Sequence, residues 1–202
     1  IDMKKILQYL FEHKTLDRAV AREVLLNIGK GGYNEHEITA FMTVFLMRSI
    51  SIEELQGFRD ALLELCVQLE LENGKLIDIV GTGGDGKNTF NISTLSCFIV
   101  AGAGHKVAKH GNYGATSISG ASNVMEQLGY TLKNNPDQLK REIDQANFCF
   151  MHAPLFHPAL KTVGPIRKNL GVRTFFNMLG PMVNPARPDF QLIGVYNLEM
   201  AR

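Results

Sequence analysis

Between residues 76 and 153, apolar segments of strand length alternate with longer segments of helical period, and this order constrains the fold more than any other feature. LIDIV (76–80) reads as a strand, 93–103 as a helix, HKVAKHG (105–111) as a strand with its terminus, and 119–128 as a helix closed by Gly129. YTLK (130–133) reads as a short strand and FCFMHA (148–153) as a buried one. Between them Asn135-Pro136 opens a helix, Asn as cap and Pro at the first helical position. Strands joined through helices pair in parallel, so the expected class is α/β. Residues 158–170 are again helical, and QLIGVY (191–196) is a further strand. A helix should cover that strand, so the sheet is expected to be incomplete at Arg202.

Residues 3 to about 71 carry a different pattern and are expected to be all-helical. Ile6, Leu7, Leu10 and Phe11 mark one face of the first helix. Asn34 with Glu37, and Ser51 with Glu54, fit capping boxes, in which cap and third residue satisfy each other's backbone N–H. Ile38, Phe41, Met42, Phe45 and Leu46 follow the first box; Leu55, Phe58, Leu62, Leu65 and Leu69 follow the second. The break at 72-ENGK-75 ends the block.

Bulk properties exclude several classes. A net charge of +1 implies no long polyanion partner. Cys66, Cys97 and Cys149 lie in apolar surroundings without CxxC spacing, so they read as buried thiols, neither disulfides nor a zinc site. No apolar run reaches the roughly 18 residues of a membrane span, and no signal peptide opens the chain. The expectation is a soluble, cytoplasmic protein.

The chemistry concentrates where strand 76–80 ends, at 81-GTGGDG-86. Ligands of open α/β sheets bind at the carboxyl ends of strands, and a glycine turn there lets backbone N–H groups approach an anion. A plain tight turn is the simpler alternative. The P-loop pattern is absent. A GxGxxG is present at Gly81, Gly83 and Gly86, but a dinucleotide site wants an acid at the end of the second strand, where Lys109-His110 stand instead. A third scheme joins this loop to a second, 109-KHGNYGATSISGAS-122, which supplies a lysine, glycines and hydroxyls. Two such loops at successive parallel strand ends suit a ligand with two phosphate groups separated by a sugar.

The stretches GTGGD (81–85), NIST (91–94), KHGN (109–112), HPALK (157–161), GPIRKNLGVRTFFN (164–177) and LGPMVNP (179–185), in order, resemble anthranilate phosphoribosyltransferase. The resemblance implies transfer of phosphoribosyl from phosphoribosyl pyrophosphate to the amine of anthranilate, with Mg²⁺ assisting, in tryptophan biosynthesis. It implies that Gly81, Gly84 and Asp85 line the sugar–pyrophosphate site. Thr89, Asn91, Ile92, Ser93 and Thr94 would hold phosphate groups, Ser93 also as a Mg²⁺ ligand. Lys109, Gly111, Asn112, Thr116 and Ser117 would hold the donor. Gly81, Asn112, His110, His157 and Arg167 would border or contact anthranilate. It also implies a helical domain over 3–71 joined in space by about 155–184, an α/β domain over 75–154 and 185–202, and a homodimer through the helical domain. The family's acidic Mg²⁺ pair is expected beyond Arg202. Two departures stand out: Tyr113-Gly114 where the family commonly has Arg, and Ala121 beside Ser122 where it often has Ser.

The duller readings stay open at this point. Ser93 and Thr94 are also helix caps, Asp85 a turn residue, and His110 a strand-end residue. His157 leads into a helix, Arg167 lies on a cationic helix face with Lys161 and Lys168, and Asn112 suits a left-handed turn. No general acid or base is identified, and an aromatic amine, neutral at pH 7, needs none. Two rival functions are a pyrimidine nucleoside phosphorylase-like enzyme and a non-catalytic nucleic-acid binder. The first wants an Arg-Lys set that is not seen. The second wants a basic stripe, which Asp137, Glu142 and Asp144 interrupt.

Overall fold

The computed structural model describes every residue but 72, 73, 84, 85, 88 and 115–117, and of Glu199 only the backbone. The elements run α1 (Met3–Phe11), α2 (Arg18–Gly29), α3 (Glu35–Met47), α4 (Ile52–Leu65), β1 (Leu76–Gly81), α5 (Ile92–Gly102), β2 (Lys106–Gly111) and α6 (Ala121–Gln127). They continue with α7 (Pro136–Ala146), β3 (Phe148–His152), α8 (Ala153–Phe156), α9 (Leu160–Leu170), α10 (Phe176–Leu179), β4 (Phe190–Gly194) and α11 (Leu198–Ala201). Two compact units result. One comprises Ile1–Cys66 with His157–Val183, the other Val67–Phe156 with Asn184–Arg202.

The first unit is helical because its caps and apolar stripes agree. Asp2, Asp17, Asn34 and Ser51 each accept a backbone N–H at a helix start, and both expected capping boxes form. The core is aromatic: Phe41 meets Phe58 at 5.8 Å, and Phe58 stacks on Phe175 at 4.7 Å. Val163 and Ile166 of α9 join the same cluster. Buried Glu54 accepts from both terminal Arg48 guanidinium nitrogens, at 2.5 and 2.9 Å, and from the Leu16 N–H at 2.9 Å. Phe11 and Leu46 depart from expectation at 62% and 43% exposure. The buried stripe of α1 is Met3, Ile6 and Leu10, and Phe11 lies about 100° round the helix from Leu10.

The second unit holds a parallel sheet in the order β3-β2-β1-β4. Its side chains alternate across two faces. Val107 and Phe150 pack with Cys97 and Ala101 of α5, while Ala108, Cys149 and Met151 pack with Leu139 and Ile143 of α7. YTLK forms no strand. Tyr130 donates to the Glu142 carboxylate at 2.6 Å and to the Phe150 carbonyl at 3.3 Å, and Lys133 pairs with the same Glu142, so the segment is tied to α7 by side chains. The last strand starts one residue earlier than expected, at Phe190, and ends at Gly194. All three cysteines are buried free thiols, and burial pushes the Cys97 thiol up to about 11. No helix among the described residues is long and apolar enough to cross a membrane.

Candidate functional site

The strands are parallel, so the loops after β1 and β2 leave the same sheet edge. Gly81 pairs with Gly194 there, and Gly111 with His152. Asn91 is the N-cap residue of α5, yet its side chain makes no capping bond. Its Nδ2 instead donates to the Ser119 carbonyl at 3.3 Å, so a side chain of the first loop ties down the second. This contact brings the two glycine loops together.

Ser93 and Thr94 follow in the first turn of α5, Ser93 half-buried and Thr94 buried. Neither caps the helix. Gly81, Thr89 and Ile92 are exposed. Gly84, Asp85, Thr116 and Ser117 lie outside the described residues.

The second loop is pinned by asparagines. Asn112 Oδ1 accepts from the Tyr113 N–H at 2.8 Å, and the Asn112 carbonyl accepts from the Ser122 N–H at 3.1 Å. Asn123 Oδ1 accepts from the Gly120 and Gly114 N–H groups at 2.9 and 3.3 Å. A Cβ on Gly120 would stand 2.2 Å from the Gly114 nitrogen, so only glycine allows the loop to close on itself. Asn112 is not left-handed; among the described non-glycine residues His13, Asn147 and Arg187 have positive φ.

Lys109 does not reach out of the loop. It is 2% exposed, and its Nζ donates to the Ile79 carbonyl at 2.7 Å. On the opposite sheet face Asp78 Oδ2 accepts from Asn184 Nδ2 at 2.9 Å and Gln191 Nε2 at 3.4 Å, and Asp78 Oδ1 from the His110 N–H at 3.4 Å. Burial raises the Asp78 carboxyl, and the Asn184 amide and Lys109 charge only partly offset it. His110 itself is buried. Asn184 also donates to the Ala108 carbonyl at 2.9 Å, so this residue of the LGPMVNP stretch links β1 to β2.

In the helical unit, His157 is buried and its Nε2 donates to the Val183 carbonyl at 2.9 Å. Burial pushes its ring down to about 4. Arg167 Nη2 donates to Asn177 Oδ1 at 3.3 Å, and the guanidinium lies over the Phe176 ring at 5.4 Å. It is therefore not on a free solvated face, and burial lowers its pKa.

Sequence reasoning missed Asp78, Asn123, Asn184 and His152. Asp78 had a signal, as the single charged residue of LIDIV, and so had His152, the one imidazole in the apolar FCFMHA; Asn123 had none. Mg²⁺ usually keeps several waters and binds through phosphates plus one or two protein oxygens. The Ser93 hydroxyl at the start of α5 fits such an ion, and no group of three or more His, Cys, Asp or Glu is placed to hold a metal among the described residues.

Comparison with known proteins agrees with this architecture. Residues 4–66 match the model described as glycosyl transferase family, helical bundle domain, and residues 73–202 the one described as glycosyl transferase family, a/b domain. Anthranilate phosphoribosyltransferase of Flavobacterium johnsoniae is 62% identical over 99% of this chain, which covers 61% of that protein. The chain thus spans about three fifths of the length of such relatives. The crystal structure of the Thermus thermophilus enzyme superposes with a TM-score of 0.88 at 36% identity, covering 96% of this chain and 59% of that one. The Saccharomyces cerevisiae enzyme, in complex with PRPP and Mg, superposes with a TM-score of 0.89 at 31% identity, covering 98% and 60%. With both of its domain types matched in order, the chain belongs to the glycosyl transferase family of paired helical bundle and a/b domains.

Proposed function

We propose that the chain serves an anthranilate phosphoribosyltransferase and holds phosphoribosyl pyrophosphate at the carboxyl edge of its sheet. The observation that carries this reading is the Asn91 to Ser119 bond, which joins two glycine loops beside the N-terminus of an eleven-residue helix. Backbone N–H groups and the positive end of α5 suit phosphate oxygens. Gly81, Thr89, Asn91, Ile92, Ser93, Thr94, Gly111 and Asn112 are the donor residues of this reading, with Gly84, Asp85, Thr116 and Ser117. Lys109 contributes its charge from beneath the loops. Gly81 and Asn112 also meet the acceptor, with His110, His157 and Arg167.

The reaction is displacement at the anomeric carbon through an oxocarbenium-like state. The amine nitrogen forms a bond to that carbon, the bond to the pyrophosphate oxygen breaks, and the amine releases a proton. The protein positions the reactants and stabilises the leaving group's charge. Mg²⁺ held through Ser93 would neutralise pyrophosphate oxygens. The Arg167 guanidinium suits the anthranilate carboxylate, and burial leaves the His157 ring a poor base. The finer parts of the reading are a homodimer joined through the helical unit, a cytoplasmic setting, and no nucleic-acid partner.

The test is isothermal titration of the full chain with phosphoribosyl pyrophosphate, with and without Mg²⁺, and with a pyrimidine nucleoside and single-stranded DNA as rivals. Binding of phosphoribosyl pyrophosphate, tightened by Mg²⁺, is expected. Binding of the nucleoside or the DNA with none of phosphoribosyl pyrophosphate would overturn the reading.

A further inference from the structure

Two residues of the second loop, Tyr113 and Ser122, meet on one residue outside it. Ser122 Oγ lies 2.8 Å from His152 Nδ1, and the two residues are 0% and 6% exposed. The Tyr113 ring meets the His152 ring edge-on at 4.8 Å. Tyr113 OH donates to Glu126 Oε1 at 3.1 Å, on the helix that carries Ser122. Tyr113 opens the loop, Ser122 closes it, and His152 ends the neighbouring strand in register with Gly111.

We infer that His152 is a positioning residue whose neutral ring fastens both ends of the second glycine loop to the carboxyl end of β3, and that protonating the ring loosens this loop. The Ser122 N–H donates to the Asn112 carbonyl, so a shift at Ser122 moves Asn112 directly. Tyr113 faces His152 from the loop, Ser122 and the Glu126 charge from α6, and Gly111 of β2 lies in register with it. α8 brings no charged side chain. Burial pushes the ring below its ordinary value, and the Glu126 charge pulls back more weakly. The ring is therefore neutral at pH 7.5, and a proton added to it at low pH is a buried charge beside a hydroxyl.

The loop test needs no ligand. Amide exchange is followed by NMR in the full chain at Gly114, Gly120 and Ser122, corrected for intrinsic exchange. Protection should fall about three- to tenfold as pH is lowered from 7.5 through the titration of the ring, the equilibrium equivalent of one hydrogen bond. Ser122→Ala should lower it by a similar factor already at pH 7.5. His152→Asn, which keeps a polar group near the Nδ1 position but does not titrate, should retain protection and lose the pH step. Tyr113→Phe should keep the step, and Glu126→Gln should move its midpoint to lower pH. A step that persists in His152→Asn, or unchanged protection in Ser122→Ala, would overturn the inference.

Its bearing on ligand rests on the donor reading above. Phosphoribosyl pyrophosphate should bind several-fold more weakly to Ser122→Ala than to the unaltered chain. Equal binding would overturn the link to donor affinity. No binding to either, with the exchange results as expected, would sink the donor reading and leave the loop fastening intact.

Discussion

His157 and Arg167 illustrate how burial sets chemistry one residue at a time. His157 titrates near 4 in the folded protein against an ordinary 6.5, so the native state binds fewer protons than the unfolded chain between those values. Its contribution to stability is present above pH 6.5 and is lost as pH falls toward 4. Denaturant unfolding across that range should show the loss, and His157→Asn should flatten it; an unchanged slope would exclude His157 as its source. Arg167 is aimed by Asn177 and the Phe176 ring. Arg167→Ala should weaken anthranilate binding about tenfold or more, the worth of a charge-assisted bond, with phosphoribosyl pyrophosphate little affected. Calorimetry with each ligand separates the two effects. Lys109 shows what sequence does not carry. Its identity and strand position were legible, but its ammonium turns inward to the Ile79 carbonyl. Lys109→Met should therefore cost about 2 kcal/mol of stability, measured by urea unfolding, as well as donor affinity.

At the scale of elements, local signals were read well and partner choices less so. The capping boxes at Asn34 and Ser51 form because both partners lie three residues apart. YTLK failed because an alternating pattern does not say whether Tyr130 and Lys133 find a strand or the Glu142 carboxylate of α7. Helix packing in the first unit turns on a glycine that composition alone would not distinguish. A Cβ on Gly57 of α4 would lie 2.4 Å from the Arg18 carbonyl and 2.7 Å from the Ala21 Cβ of α2. Gly57→Ala should cost about 1–3 kcal/mol by forcing α2 and α4 apart. Gly102→Ala, with nothing within 4 Å of the added carbon, should be neutral or slightly stabilising. Thermal melts of the two variants give the comparison; equal midpoints would show that the α2–α4 contact is not tight.

For the whole molecule, the parallel sheet and the two glycine loops were legible because strand and helix periods alternate cleanly along the chain. Asp78, Asn123, Asn184 and His152 were not, since each acts through partners that only the folded chain brings near. β4 is exposed along its length, with Phe190 at 51% and Leu192 at 61%. An exposed apolar edge strand invites pairing with another chain, so the chain should associate with rising concentration. Leu192→Lys should reduce this in sedimentation velocity, and an unchanged profile would assign the association to another surface. The most direct test of the donor site is an amide NMR titration of the full chain with phosphoribosyl pyrophosphate and Mg²⁺. The largest shifts are expected at Gly81, Ile92, Ser93, Thr94, Gly111 and Asn112. Shifts centred away from the two glycine loops and the start of α5, or none at saturating ligand, would contradict it.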